Sequence, residues 1–259
     1  ALRCMDDDPG SLAELRHAAD LYPNDPEVLW RLEIAIDNAG GSDAERIRLL
    51  ERSLELAPRR MRTLSSLSYT HYLLDQHDLA LQTFERMKRV NPACEGAYTG
   101  AGLVYAYGLH DMERSLQQYG IAIALKPTDD EVWRGKMHAI RHFGDPADAL
   151  KTIDEAIAAG IPESRWLHDR GMIYLSMGRY DDAVAEYTRA LELGIEATRR
   201  QDLMLYWLRA RAQMYAERYE EAWADLHRGQ DAGMNDDMFE ALAEELREHM
   251  PEPERESEG

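Results

Sequence analysis

Prolines close helix-forming stretches at Pro23, Pro58, Pro92, Pro127 and Pro162, at intervals of 35, 34, 35 and 35 residues. A fixed period of this size is the mark of a stacked array. Each supersecondary unit cannot bury its apolar face alone and completes its core against its neighbours. No internal domain boundary is then required, because the core is one continuous seam. The spacing constrains architecture far more than it constrains chemistry, and it disfavours most enzyme classes.

The residues between the prolines repeat as well. The cleanest copy reads WLHDRGMIYLSMGRYDDAVAEYTRALELG and carries Leu167, Gly171, Tyr174, Gly178, Tyr180, Ala183, Tyr187 and Ala190. Other copies carry Trp133, Gly144, Ala149, Ile153 and Ala156; Leu64, Leu67, Ala80 and Phe84; and Tyr98, Gly102, Tyr105, Ser115, Tyr119 and Ala122. The last copy has Ala210, Tyr219, Ala222 and Leu226. Slot for slot this resembles the tetratricopeptide repeat, over about residues 11–233. The copy at 26–58 is looser, with Arg46 where a small residue is expected. The resemblance implies an all-α, right-handed superhelical solenoid of antiparallel helix pairs. Small residues would stand where paired helices touch, and aromatics would be wedged between units. It also implies a binding protein rather than an enzyme, with no shared ligand or chemistry.

The expected organisation is a short segment at 1–10, the repeat array at 11–233, a capping helix at 234–250 and a disordered tail at 251–259. Helices are predicted near 10–22, 26–39, 43–56, 60–74, 77–90, 94–107, 111–125, 129–143, 146–159, 163–177, 180–193, 200–216, 219–232 and 235–249. No Val/Ile/Thr-rich alternation is present, so no sheet is predicted. Asn24-Asp25-Pro26 and Asp145-Pro146 read as helix starts. Gly160 and Gly194 read as helix ends. The small-residue slot at Ser115, Ala149 and Ala183 recurs every 34 residues, then jumps 39 to Ala222. About five extra residues near 196–202 therefore lengthen a first helix or a loop. NDDMFEALAEELREHM forms an amphipathic cap, with Met238, Phe239, Leu242 and Leu246 as its apolar stripe. The 11–23 helix carries Leu12, Leu15 and Leu21 with no evident partner before it. This predicts an upstream helix or association through that edge, as a homo-oligomer or with another domain.

Net charge is −19, from 49 acidic and 30 basic residues. So acidic a chain is repelled by phosphate backbones and anionic lipid, which argues against nucleic acid as a general partner. No apolar run approaches the ~20 residues of a membrane span. Cys4 and Cys94 form no metal or disulfide pattern, which fits a reducing, cytoplasmic setting. No Ser-His-Asp order, glycine-rich phosphate loop or paired-carboxylate constellation stands out. Neither an enzyme nor a cofactor is expected.

In the family resembled, the first helices of successive units line the concave side. Helical geometry then selects the residues beside the buried stripe. They are Arg62, Ser65, Tyr69, Tyr72 and Leu73; Thr99, Leu103 and Tyr107; Glu131, Arg134, His138, Arg141 and His142. Further along come Arg165, His168, Met172, Leu175 and Ser176; then Met204, Trp207, Arg211, Met214 and Tyr215. The set is aromatic and basic in an acidic chain. It suits an acidic or carboxylate-ended peptide, with aromatics as anchors and arginines as forks. Partner contacts are expected at Tyr69, Tyr72, Tyr107, Arg134, His138, Arg141, His142, Arg165, His168, Trp207 and Arg211. His138, His142 and His168 also raise a metal site, but HAIRH lacks the glutamate of a zinc-protease helix. Family members that clamp a chaperone tail use asparagine and lysine; Tyr69, His138 and Met172 stand at the matching positions here.

Overall fold

A computed structural model describes residues 9–193, 199–233 and 237–253, with side chains from residue 12 onward and, after the gap at 194–198, from residue 204. The described residues form helices and turns with no strand. In order they are α1 (Pro9–Leu21), α2 (Pro26–Asn38), α3 (Asp43–Leu56), α4 (Met61–Leu73), α5 (His77–Val90) and α6 (Glu95–Leu103). Then follow α7 (Met112–Leu125), α8 (Asp130–Phe143), α9 (Pro146–Ala158), α10 (Leu167–Ser176) and α11 (Tyr180–Glu192). The last three are α12 (Arg199–Tyr215), α13 (Tyr219–Asp231) and α14 (Asp237–His249). The chain divides into two compact units, residues 1–139 and 140–259. In the first, α2 pairs with α3, α4 with α5 and α6 with α7, and successive pairs stack. In the second, α10 pairs with α11 and α12 with α13, with α14 against the last pair. Short connections force neighbours antiparallel.

The punctuation acts as the sequence suggests. Asp25 Oδ1 accepts from the Glu27 N–H at 2.8 Å, and Asp145 Oδ1 from the Ala147 N–H at 2.8 Å. In each case proline opens the helix, where its missing N–H costs nothing. The turn inside a pair needs one left-handed residue. Gly40 and Gly178 supply it at φ 65° and 70°, but Asp75, His110 and Glu217 adopt it with side chains, at 56°, 54° and 60°. Gly160 ends its helix at φ 100°; Gly194 lies outside the described residues.

Packing follows a single rule: an aromatic on a second helix sits in a glycine notch on a first helix. A Cβ at Gly171 would lie 2.5 Å from the Tyr187 ring. One at Gly100 would lie 2.3 Å from Phe84, and one at Gly135 2.8 Å from Tyr119. Real side chains do not approach so closely, so glycine is what lets these rings enter. Ala80, Ala149, Ala183 and Ala222 are fully buried where paired helices touch. Each buried ring or Leu contributes about 1.5–3 kcal/mol over its exposed state.

Several expectations are corrected. The helix over 94–107 stops being α-helical at Leu103 and continues as a π-turn over Val104–Gly108. Gly102 to Ser115 spans 13 positions where Ser68 to Ala80 spans 12; Glu33 to Arg46 also spans 13, and there the turn at Gly40 and Gly41 takes up the extra residue instead. A π-turn absorbs an insertion of this size, and Ser115 Oγ donates to the Gly102 carbonyl at 2.8 Å. The 163–177 helix begins with a 3-10 turn over Glu163–Trp166. Arg46 is buried and pairs with buried Glu33 at 3.0 Å. Met238 leaves the apolar stripe of α14 and is exposed, whereas Phe239, Leu242, Ala243 and Leu246 pack on the last pair. Of the extra residues near 196–202, α12 takes those from Arg199 onward, reaching 17 residues; 196–198 lie outside the described residues. So does the tail from 254.

Candidate functional site

In the first unit, α4 turns Arg62, Ser65, Tyr69 and Leu73 to solvent, with Tyr72 half-buried beside them. The Tyr69 and Tyr72 rings lie 6.4 Å apart, and His77 lies 6.2 Å from Tyr72. Tyr107 rides on the π-turn, half-buried. Burial pushes the Tyr72 hydroxyl above its ordinary pKa, and the neighbouring Tyr107 and Tyr69 phenols add to this. It therefore stays a proton donor at neutral pH. Arg134 and His138 are half-buried on α8, and Asp130 approaches Arg134 at 4.0 Å, one turn away.

In the second unit, Arg141 is half-buried, and His142 is exposed edge-on to Phe143 at 4.5 Å. Arg165 and His168 are exposed, and His168 Nδ1 stands 3.7 Å from buried Asp169. On α12 the Arg211 guanidinium lies over both Trp207, at 5.3 Å, and Tyr215, at 5.6 Å. The Trp207 indole donates to the Met238 carbonyl at 2.9 Å, so the capping helix fixes its ring. Met214 faces the core instead and is buried. None of the partner-contact side chains selected from the sequence is buried. The histidines do not gather: among the described residues no three His, Cys, Asp or Glu side chains are placed to hold a metal.

The carboxylate-poor pattern fails on α2. Its equivalent face carries Glu27, which accepts from Arg31 at 2.8 Å and also pairs with Arg60, and Asp37, which pairs with Arg46. Those bonds to Arg31 hold the Glu27 carboxyl below its usual range, with Arg60 contributing.

The family model described as tetratricopeptide repeat matches residues 141–196 and 168–237. Residues 141–237 of this chain therefore match the tetratricopeptide repeat. Bovine tetratricopeptide repeat protein 36 is 32% identical over 99 residues, covering 37% of this chain and 53% of that protein. The human protein of that name is 31% identical over 99 residues, covering 37% and 52%. The match spans about half the length of these curated relatives. Among solved structures, a tetratricopeptide repeat protein from Parabacteroides merdae aligns at TM-score 0.64 and 17% identity, over 91% of this chain and 90% of that one. PilW, a type IV pilus biogenesis factor, aligns at 0.64 and 14%, over 84% and 97%. The Cut9–Hcn1 hetero-tetramer of APC/C aligns at 0.60 and 15%, over 92% and 46%. At these identities the likeness is one of fold. Among the described residues no helix is long and apolar enough to cross a membrane.

Sequence reasoning missed Trp30. It is half-buried on α2, with Arg60 and Arg62 over its ring at 5.9 and 5.3 Å, and its indole donates to Ser66 Oγ at 3.1 Å. Its position 35 residues before Ser65 was a usable signal, masked by the looseness of that repeat. Tyr119 and Tyr187 were also missed as polar groups. Both read as core rings, and both are fully buried with hydroxyls that make no hydrogen bond to protein.

Proposed function

We propose that this chain is a non-catalytic scaffold that holds an acidic or carboxylate-ended peptide or protein segment on the first helices of its repeats. The observation that carries the reading is a division of labour between helices. Phe84, Tyr119, Tyr187 and Trp223 on second helices are committed to the core, while Tyr180 and Tyr219 at second-helix starts are half-buried. Several first-helix aromatics stay accessible, namely Tyr69, Tyr72, Tyr107 and Trp207, beside Arg62, Arg134, Arg141, Arg165 and Arg211, whereas Trp133 on α8 is buried. Accessible aromatics and arginines are the residue types that dominate binding energy at interfaces. The Cut9–Hcn1 structure places a similar fold inside a protein assembly, which agrees with a partner that is itself protein. The test is the charge-reversed pair Arg134→Glu/Arg141→Glu, measured against a panel of acidic and neutral peptides. Acidic-peptide binding is lost while far-ultraviolet circular dichroism is unchanged; equal binding by parent and variant contradicts the reading.

A second reading is an assembly subunit that docks through its N-terminal edge. It draws on α1, where Leu21 and Tyr22 are 59% and 61% exposed and Leu12 and Leu15 are half-buried. Under that reading light scattering of the parent shows an oligomer that Leu12→Glu/Leu15→Glu dissolves. A monomeric parent contradicts it.

A further inference from the structure

Two arginines on α12 are treated differently by the fold. Arg209 is satisfied inside the protein. Its Nε and Nη2 donate to the two oxygens of buried Asp225 at 2.6 and 2.7 Å, and its Nη1 donates to Thr188 Oγ1 at 3.1 Å. Arg211, half-buried two residues on, makes no ion pair among the described residues. It lies instead over two rings, Trp207 at 5.3 Å and Tyr215 at 5.6 Å. The three residues are spaced four apart, so Trp207 stands one turn before the guanidinium and Tyr215 one turn after it. Arginines nearby have carboxylates: Arg179 takes Asp182 at 2.6 Å and Arg218 takes Asp181 at 2.5 Å. Acidic residues outnumber basic ones by 49 to 30, so Arg211 is not unpaired for want of an acid.

The stripe is pinned at both ends and reachable from solvent. The Trp207 indole is tied to α14 through the Met238 carbonyl at 2.9 Å, and the Tyr215 ring is backed by Tyr180 at 5.3 Å. Tyr215 is 38% exposed, and Trp207 is half-buried. Rings against the face of a guanidinium leave the N–H groups on its edge to donate, and that edge is the fork that matches a carboxylate. The Trp30 cluster of the first unit differs, because Arg60 over its ring is already paired with Glu27.

We propose that Trp207, Arg211 and Tyr215 read a protein segment of the pattern apolar–x–acidic–x–apolar, laid extended along α12. Arg211 forks the carboxylate, and the two apolar side chains pack on the Trp207 and Tyr215 rings. The lengths agree. The helix rises about 12 Å from Trp207 to Tyr215, and four steps of extended chain cover about 13 Å. Alternate side chains of an extended chain share a face, so three readers one turn apart meet three side chains two positions apart. Charge attraction alone would accept an acidic segment of any composition; this stripe selects one with apolar neighbours.

The stripe rests on the acidic-segment function proposed above, and the experiment separates the two. The probe is a fluorescein-labelled, amidated peptide of sequence leucine–glycine–aspartate–glycine–leucine. Its variants carry asparagine for the aspartate, or glycine for both leucines. Fluorescence anisotropy follows binding to the full chain, with far-ultraviolet circular dichroism confirming the fold of each protein variant. The parent binds the aspartate peptide about tenfold more tightly than the asparagine peptide, the value of one charge-assisted bond. Arg211→Gln abolishes that ratio, and Arg211→Lys, which keeps the charge without the fork, restores only part of it. Tyr215→Ala leaves the aspartate-to-asparagine ratio in place and reduces the preference for leucine over glycine. If Arg211→Gln keeps the parent's ratio, or the parent is indifferent to the leucines, the stripe is overturned, and the acidic-segment function stands on the parent's ratio. A parent that binds the aspartate and asparagine peptides alike, or binds neither, overturns both.

Discussion

The α2–α3 and α10–α11 pairs solve one packing problem in opposite ways. Where the helices of a pair touch, α10–α11 places Gly171 and Ala183, and the close approach admits the Tyr187 ring. At the same two slots α2–α3 places Glu33 and Arg46, both buried, joined at 3.0 Å. Arg46 also reaches Asp37 and Asp43 at 2.9 Å and donates to Thr70 Oγ1 of the next pair at 3.2 Å. Glu33 keeps one carboxylate oxygen without a partner. The contrast teaches that the fold requires complementary filling at this contact and does not require small residues. An ion pair fills the volume at a desolvation cost but fixes a unique register.

That comparison is most directly broken by removing one charge. Arg46→Leu leaves Glu33 buried and unpaired and lowers stability by about 3–5 kcal/mol. Glu33→Met/Arg46→Leu keeps the volume and removes both charges. It costs less than half as much, or stabilises, as chemical denaturation will show. A double variant as damaged as the single one means that the pair is more than filler. Overpacking the opposite solution comes next. Gly171→Leu and Ala183→Leu each cost about 1–3 kcal/mol, read from the same denaturation curves. The smallest effect lies in the turns. His110→Gly and Glu217→Gly relieve a left-handed residue and raise stability by roughly 0.5–1 kcal/mol, net of glycine's greater freedom when unfolded.

A pH series sharpens the same contrast. Burial raises the Glu33 carboxyl above its ordinary value of 4.5, and Arg46 opposes the shift without cancelling it. The native state therefore holds this proton more tightly than the unfolded chain. The resulting stability is full below about pH 4.5 and is lost as pH rises through the folded value. Glu33→Gln has no such proton to lose. Its stability relative to the parent therefore increases from acid to neutral pH, whatever the constant offset. A difference that stays flat would place Glu33 in a better-satisfied site than its orphan oxygen indicates.

The regular part of this architecture was legible because it is set by local periodicity. The proline spacing, the small slots at Ala80, Ala149 and Ala183, and the caps at Asp25 and Asp145 all act within a few turns of their own position. The exceptions depend on pairs that are distant in sequence. Arg46 looked like a misfit because its partner Glu33 sits in the other irregular slot, and each explains the other only once the helices are packed. The π-turn was not legible, because the spacing of 13 from Gly102 to Ser115 also occurs from Glu33 to Arg46, where no π-turn forms. Trp30 was overlooked because its repeat matched poorly. Among the candidate partner contacts, helical geometry placed Tyr69, His142, Arg165 and His168 on accessible faces. It did not reveal that Trp207 is fixed by Met238, that Met214 turns inward, or that Tyr187 carries an unmet hydroxyl.

The central claim is that partners are held on first helices. Backbone amide chemical-shift mapping of the full chain, titrated with a short peptide of alternating glycine and glutamate, tests it most directly. The account predicts that the largest shifts fall on α4, the π-turn at 104–108, α8, α10 and α12, with Arg141 and Arg211 among the most affected. Shifts concentrated on α3, α5, α7, α9, α11 and α13, or confined to α1, would contradict it.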